Sequence, residues 1–357
     1  MSHEAPIVQL NTELTWRGGE QQTLYLARGV RAVRPCVVVG RRHGELLGRC
    51  AEIGIDVETI PSAGLRGVLA LRRLIRRLRP AVLHAHTSRT HQLGRMANAG
   101  LRSPVPLVVT RRVSFPMKRG MIARWKYLSG VSRYAVVADA VGEVLRAAGV
   151  PAGRITTIHS AVDFAEVEAT PPSPLGLRDE DCTGPIVLHA AAFSHQKNQA
   201  MLLRAWAQIE ARHESARLVI AGKGELERDL RRLADELDLK RVHWLGFRSD
   251  IIGVMKSADL FVMSSDSEGI CSVLIQARRA SLPIVATNVD GIPEVVEDGA
   301  QGLLVPAGDS TGFARAVLAA LQPDRLARFR ARASVDMDRF STDAMVAAYL
   351  QLYNEVT

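Results

Sequence analysis

Short apolar runs rich in Val, Ile and Leu alternate along this chain with longer stretches whose apolar positions recur every three to four residues. The first pattern predicts strands buried on both faces, the second amphipathic helices, and their alternation predicts βαβ units in parallel sheets. In the first half the predicted strands are Ile7–Asn11, Cys36–Val39, Val57–Ile60, Val82–Ala85, Leu107–Thr110, Ala135–Ala138 and Ile155–Ile158, with helices that include Leu65–Leu78 and Ala140–Ala148. In the second half they are Ile186–Ala190, Arg217–Ala221, Val242–Leu245, Leu260–Met263, Ile284–Ala286 and Gly302–Val305. Helices are predicted there near Gln199–Arg212, Leu226–Leu237, Ile251–Ser257 and Ser272–Ala280.

Between the two sets lies Ala161–Thr183, with Thr170-Pro171-Pro172-Ser173-Pro174 and Asp179-Glu180-Asp181. Prolines cannot sit in a central strand, so this composition reads as a linker. We therefore expect two α/β domains, residues 1–165 and 184–340, each a Rossmann-like doubly wound parallel sheet, facing a central cleft at the carboxyl ends of their strands. A last helix, residues 341–356, carries Met345, Ala348, Tyr349, Leu352 and Tyr353 on one stripe. Its periodicity leaves open whether it packs back on the first domain.

The 357-residue length fits two cores better than one. No apolar run approaches the ~20 residues needed to span a bilayer, and the N-terminus lacks a signal-peptide pattern. Cys36, Cys50, Cys182 and Cys271 are widely spaced and read as reduced thiols of a cytoplasmic protein. Charge is uneven. Residues 1–160 hold 25 Lys/Arg against 9 Asp/Glu, net +16, whereas the remainder holds 21 against 28, net −7. The basic half is expected to face an anionic substrate or surface. Leu71-Arg72-Arg73-Leu74-Ile75-Arg76-Arg77-Leu78-Arg79 suits an interfacial helix on anionic lipid, although an amphipathic core helix carries the same pattern. Aromatics are 5% of the chain and do not interleave with the arginines, which argues against nucleic acid.

The chemistry concentrates after predicted strands. Ser264-Ser265-Asp266-Ser267-Glu268-Gly269-Ile270-Cys271-Ser272 leaves a buried strand and opens a helix, a context in which backbone N–H groups and the helix dipole cradle an anion. A carboxylate there repels phosphate but accepts from hydroxyls, so Glu268 suits a sugar. Gln276, eight positions on, shares that helix face. Lys197 follows the first strand of the second half, where an ammonium can neutralise phosphate. Gly18-Gly19 follows the first strand of all, in neither a GxGxxG nor a Walker pattern. His84 and His86 alternate at a strand end and face one way, but lack the further ligands of a metal site. Arg111 and Arg112 end the fifth strand with guanidiniums suited to phosphate or carboxylate.

Together these pieces resemble the retaining glycosyltransferases of family 4 (group 1), with the GT-B fold. The match is densest in Ala258-Asp259-Leu260-Phe261-Val262-Met263-Ser264-Ser265, Glu268-Gly269, Leu282-Pro283-Ile284-Val285-Ala286-Thr287, Gly291-Ile292-Pro293-Glu294-Val295-Val296-Glu297-Asp298-Gly299 and Gly302-Leu303-Leu304-Val305-Pro306. Gly18-Gly19, His84-Ala85-His86, Gly222-Lys223-Gly224-Glu225-Leu226 and Leu245-Gly246-Phe247 add weaker matches. The resemblance implies metal-independent transfer from a nucleotide-diphospho-sugar donor, with no cofactor. It implies Lys197 on the diphosphate, Glu268 on a donor-sugar hydroxyl, and the amides of Gly269, Ile270, Cys271 and Ser272 on the diphosphate or sugar. Gly18 and Gly19 would close over the donor, and Phe247 and Arg248 would border the base.

Three positions depart from the family pattern. Gln276 stands where a second Glu accepts from the ribose diol, and Ala192 where many members carry an Arg. Arg111 or Arg112 is the expected substitute on the diphosphate. Thr110-Arg111-Arg112 also occupies the segment where many members carry a histidine near the donor sugar, which makes His86 the candidate for that role beside Glu268. The expected protein is a cytoplasmic enzyme, peripheral at the inner face of the membrane, that glycosylates a lipid-linked or lipopolysaccharide-type glycan. A sugar-nucleotide epimerase or hydrolase, or a catalytically weak binding subunit, are the alternatives.

Overall fold

The structure, a computed structural model, describes residues 4–61, 64–114, 127–177 and 184–357. The chain divides into two compact units, residues 1–161 with 338–357, and residues 162–337.

In the first unit, β1 (Ile7–Leu10), β2 (Cys36–Arg41), β3 (Asp56–Ile60), β4 (Val82–Ala85), β5 (Leu107–Arg111), β6 (Arg133–Val136) and β7 (Ile155–Thr157) form one parallel sheet in the order β3-β2-β1-β4-β5-β6-β7. In the second, β8 (Ile186–Ala190), β9 (Arg217–Ala221), β10 (Val242–Gly246), β11 (Leu260–Met263), β12 (Ile284–Thr287) and β13 (Gly302–Val305) form another, in the order β10-β9-β8-β11-β12-β13. Every strand read from the sequence is present within two residues; the central ones are largely apolar because both faces are covered, whereas the edge strands β3, β7 and β10 are only partly buried. Each sheet reverses its strand order once, at β1/β4 and at β8/β11. Ligands of open α/β sheets bind beyond the strand ends at such points.

The proline-rich stretch is held on the second unit. Glu168 pairs with Arg279, and the Lys256 ammonium donates to the carbonyls of Glu168 and Thr170, at 3.0 and 2.6 Å. Arg178–Thr183, including Cys182 and the acidic triplet, lie outside the described residues; Cys36, Cys50 and Cys271 are buried thiols.

The final helix, Thr342–Val356, belongs to the first unit and packs on helix Gly18–Arg31. Gly29 permits the approach, since a Cβ there would stand 2.3 Å from a Val346 methyl. Met345, Tyr349, Leu352 and Tyr353 are the buried stripe. Helix Leu65–Leu78 buries Val68, Leu71, Leu74 and Ile75 and caps helix Ser88–Asn98 through Arg72, which donates to the carbonyls of Met96, Ala97 and Ala99. It is thus a layer helix of the sheet, while Leu65, Arg66, Leu69, Arg73, Arg76 and Arg77 remain exposed. Among the described residues no helix is long and apolar enough to cross a membrane.

Candidate functional site

In the second unit, two loops meet beyond the ends of β8 and β11. The loop after β8 makes a short 3₁₀ turn at His195–Lys197, and Asn198 then caps helix Gln199–Glu210, its side chain accepting from the Met201 amide. It is laced to the loop after β11. The Asp266 amide donates to the Gln196 carbonyl at 2.9 Å, and the Gln196 side chain to the Ser267 carbonyl at 2.7 Å. The Ser264 hydroxyl donates to the Lys197 carbonyl at 2.9 Å. The β9 loop closes against the same place. Gly222, at φ 148°, has the Ala191 carbonyl oxygen where a Cβ would stand, and Gly224 lies as closely on Phe193, which explains the glycines of the Gly222-Lys223-Gly224 motif.

The lacing brings Lys197 and Glu268 together. Their ammonium and carboxylate form a buried ion pair, and the Ser265 hydroxyl donates to the same Glu268 oxygen at 2.6 Å. Asp290 anchors the backbone here, accepting from the Glu268 amide and the Ser267 hydroxyl, each at 2.8 Å. Burial by itself lowers the Lys197 pKa, but Cys271 and Glu268 outweigh it and the net shift is upward. Burial pushes the Cys271 thiol up to about 12.

Helix Ser272–Arg279 starts directly after this pair. Gly269, Ile270 and Cys271 are buried, and the amides of Gly269 through Ser272 donate to no group among the described residues. Buried N–H groups without partners are rare in folded proteins, and at a helix start beside an ammonium they make an anion site. Gln276 lies half-buried two turns along, its side chain making no hydrogen bond among the described residues. Phe247 and Arg248 follow β10, the edge strand of this sheet. The Phe247 ring is 65% exposed, and the Lys223 ammonium stands 5.0 Å from its centroid. Arg248 is engaged bidentately with Asp250, at 2.7 and 2.5 Å.

In the first unit, the ends of β1, β4 and β5 open into a cavity of about 400 Å³ lined by Gly19, His86, Ser88, Arg111, Arg112 and Tyr127, among others. Gly18 and Gly19 are the first residues of helix Gly18–Arg31. The Glu20 carboxylate is occupied within this turn, accepting from Asn11 and from the Arg17 amide at 3.1 Å each. Arg111 stacks toward Tyr127, with 5.8 Å from guanidinium to ring centroid. Arg112 donates to Nδ1 of His86 at 3.2 Å. Burial, His84 and Arg112 hold the His86 pKa well below its usual value, so the imidazole is neutral. His84 and His86 face one way, ring centroids 4.1 Å apart.

The geometry thus gathers Lys197, Glu268, Gly269, Ile270, Cys271, Ser272 and Gln276 at one switch point, and Gly18, Gly19, His86, Arg111 and Arg112 at the other. Ser265 and Asp290 hold Glu268 in place and went unnoticed in the sequence, where a serine beside a strand end is unremarkable. Gln9 also went unnoticed, although a glutamine inside an otherwise apolar strand was a signal.

Two parallel α/β sheets with a charged anion cradle at the second switch point make a site suited to a phosphate-bearing ligand. Two family models match in turn: Glycosyltransferase Family 4 over residues 16–166, and Glycosyl transferases group 1 over residues 178–334. The chain belongs to the group 1 glycosyltransferases of GT-B fold, and is a transferase. EpsD of Bacillus subtilis is 29% identical over 267 residues, 69% of each chain. The lipopolysaccharide core biosynthesis glycosyltransferase LpsE of Rhizobium meliloti is 30% identical over 177 residues, which span 49% of this chain and 51% of that one. Among solved structures, HepE of Anabaena in complex with UDP and glucose superposes with a TM-score of 0.85 at 20% identity, covering 99% of this chain and 100% of that one.

Proposed function

We propose that this protein is a metal-independent retaining glycosyltransferase that moves a sugar from a nucleotide-diphospho-sugar to a lipid-linked or lipopolysaccharide-type glycan. The observation that carries this reading is the row of amides from Gly269 to Ser272, unpartnered among the described residues and placed beside the Lys197–Glu268 pair. When the bond from the sugar C1 to the leaving oxygen breaks, negative charge grows on the diphosphate. The amides, the helix dipole and Lys197 stabilise it without rearranging, the part a divalent cation plays in other transferases. Glu268 keeps one oxygen for Lys197 and Ser265 and offers the other to a sugar hydroxyl. The likeness to LpsE supports an envelope-glycan acceptor, and the UDP complex of HepE supports a nucleoside diphosphate leaving group.

The test is nucleotide release from a panel of UDP-, GDP- and ADP-sugars, in chelator, with and without a lipid-linked glycan acceptor. Acceptor-dependent release with the anomeric configuration kept is expected. Release that ignores the acceptor would make the protein a hydrolase or epimerase, and no release from any donor would make it a binding subunit.

Gln276 is assigned to the ribose diol, where its neutral amide replaces a carboxylate. A neutral hydrogen bond is worth about 1 kcal/mol net. Gln276→Ala is therefore expected to raise the donor KM several-fold with little change in kcat, and an unchanged KM refutes the assignment. The exposed Leu65, Leu69, Arg66, Arg73 and Arg76 face of helix Leu65–Leu78 is assigned to the anionic inner surface of the membrane. Sedimentation with phosphatidylglycerol vesicles is expected at low salt and lost at high salt or in Arg73→Glu/Arg76→Glu; binding unaffected by either refutes it.

A further inference from the structure

His86 ends a buried chain of side-chain hydrogen bonds that leads away from the cavity to the C-terminal helix. Its Nε2 meets Oε1 of Gln9 at 2.7 Å, and Nε2 of Gln9 meets the Tyr353 hydroxyl at 3.1 Å. That hydroxyl meets Nδ1 of His84 at 2.7 Å, and Nε2 of His84 meets the Thr110 hydroxyl at 2.7 Å. Thr110 in turn shares a 2.8 Å bond with the Tyr349 hydroxyl. All of these side chains are buried, with Gln9, His84 and Tyr353 fully excluded from solvent.

Taken alone, such a chain runs in either direction. Gln9 can present oxygen or nitrogen to His86, Tyr353 can donate to either neighbour, and each imidazole has two neutral tautomers. Arg112 removes the choice. A guanidinium only donates, so Nδ1 of His86 must hold a lone pair and Nε2 the proton. The proton on Nε2 requires the Gln9 oxygen; the Gln9 amide then donates to Tyr353, whose buried hydroxyl proton has only Nδ1 of His84 as an acceptor among the described residues and so donates there. His84 must therefore carry its proton on Nε2, although it shares no hydrogen bond with Arg112.

We propose that Gln9 and Tyr353 are positioning residues for His86, forming with His84 a one-way relay whose direction Arg112 sets. The relay couples the cavity to the C-terminal helix. It holds the His86 Nδ1 lone pair toward the Arg112 side of the cavity. When a substrate group draws Arg112 away, a hydroxyl arriving there finds an acceptor already formed. That last role rests on the glycosyl-transfer reading, whereas the relay itself does not.

The experiment uses the full chain labelled with 15N-histidine and long-range 1H–15N spectra at neutral pH, resonances assigned with His84→Gln and His86→Gln. In the unmodified protein both rings should show a bare Nδ1 and a protonated Nε2, their two nitrogens far apart in shift. In Arg112→Met both directions become allowed, and the two His84 nitrogens should move toward each other. In Tyr353→Phe the chain is cut, so adding Arg112→Met should leave His84 unchanged relative to Tyr353→Phe alone. Gln9→Leu cuts a different link and serves if Tyr353→Phe does not fold. A protonated Nδ1 on either ring of the unmodified protein overturns the proposal. So does a His84 signal indifferent to Arg112→Met, or one that still responds after the chain is cut. None of these readouts depends on transfer, so the relay can fail while the enzyme assignment stands, and the reverse.

Discussion

Glu268→Gln should remove most of the transfer activity while leaving a folded protein. The Glu268 oxygen that accepts from Ser265 and Lys197 has a counterpart in the glutamine carbonyl, so the loop keeps its hydrogen bonds. What is lost is the carboxylate charge, which pairs with Lys197 and is expected to hold a sugar hydroxyl at its other oxygen, so stability is measured by thermal denaturation alongside activity. A desolvated hydrogen bond to a charged group is worth about 1.5–3 kcal/mol, or roughly 10- to 100-fold in kcat/KM. Activity within twofold of the unmodified protein would remove Glu268 from the site. Glu268→Ala is the poorer test, because it removes the acceptor of Lys197 and Ser265 as well as the charge, and a loss of activity could then reflect a collapsed loop.

Lys197→Met should have the second large effect, on two readouts at once. Methionine fills the volume of the lysine stem but leaves Glu268 buried without its cation. Breaking a buried pair from one side costs about 3–5 kcal/mol of stability. Nucleoside diphosphate affinity, measured by calorimetry with UDP, should fall about 100-fold because the ammonium proposed to meet the phosphates is gone. Combining Lys197→Met with Glu268→Gln removes the orphaned charge, so stability should largely return while affinity does not. That divergence separates the structural from the ligand-binding role of the pair. Recovery of both together, or of neither, would contradict it.

The strands were legible because central positions in a doubly wound sheet admit little but Val, Ile, Leu and Ala, and runs such as Val37-Val38-Val39 and Leu260-Phe261-Val262-Met263 say so without tertiary information. Glu268, Gly269 and Gln276 were legible as well, since a strand end, a glycine and a helix start are local signals. The partnerships were not. Lys197 and Glu268 are 71 positions apart, and only the reversal of strand order at β8/β11 makes them neighbours. Arg112 looked like a free cation for phosphate, yet one of its donors is spent on His86. The return of the last helix to the first unit depends on the gap left by Gly29, which periodicity in residues 341–356 cannot reveal. Tyr349 and Tyr353 read as an apolar stripe, although their hydroxyls end in a buried polar chain.

The central claim is that the helix start after Glu268 receives a diphosphate, and amide resonances report on it directly. Titrating the 15N-labelled full chain with UDP, in chelator, should shift the amides of Gly269, Ile270, Cys271 and Ser272 most strongly, with Lys197 and Gln276 next. The same titration in Lys197→Met should need far more ligand to reach the same shifts. If UDP binds while those four amides stay in place, the diphosphate sits elsewhere and the account of this site is wrong.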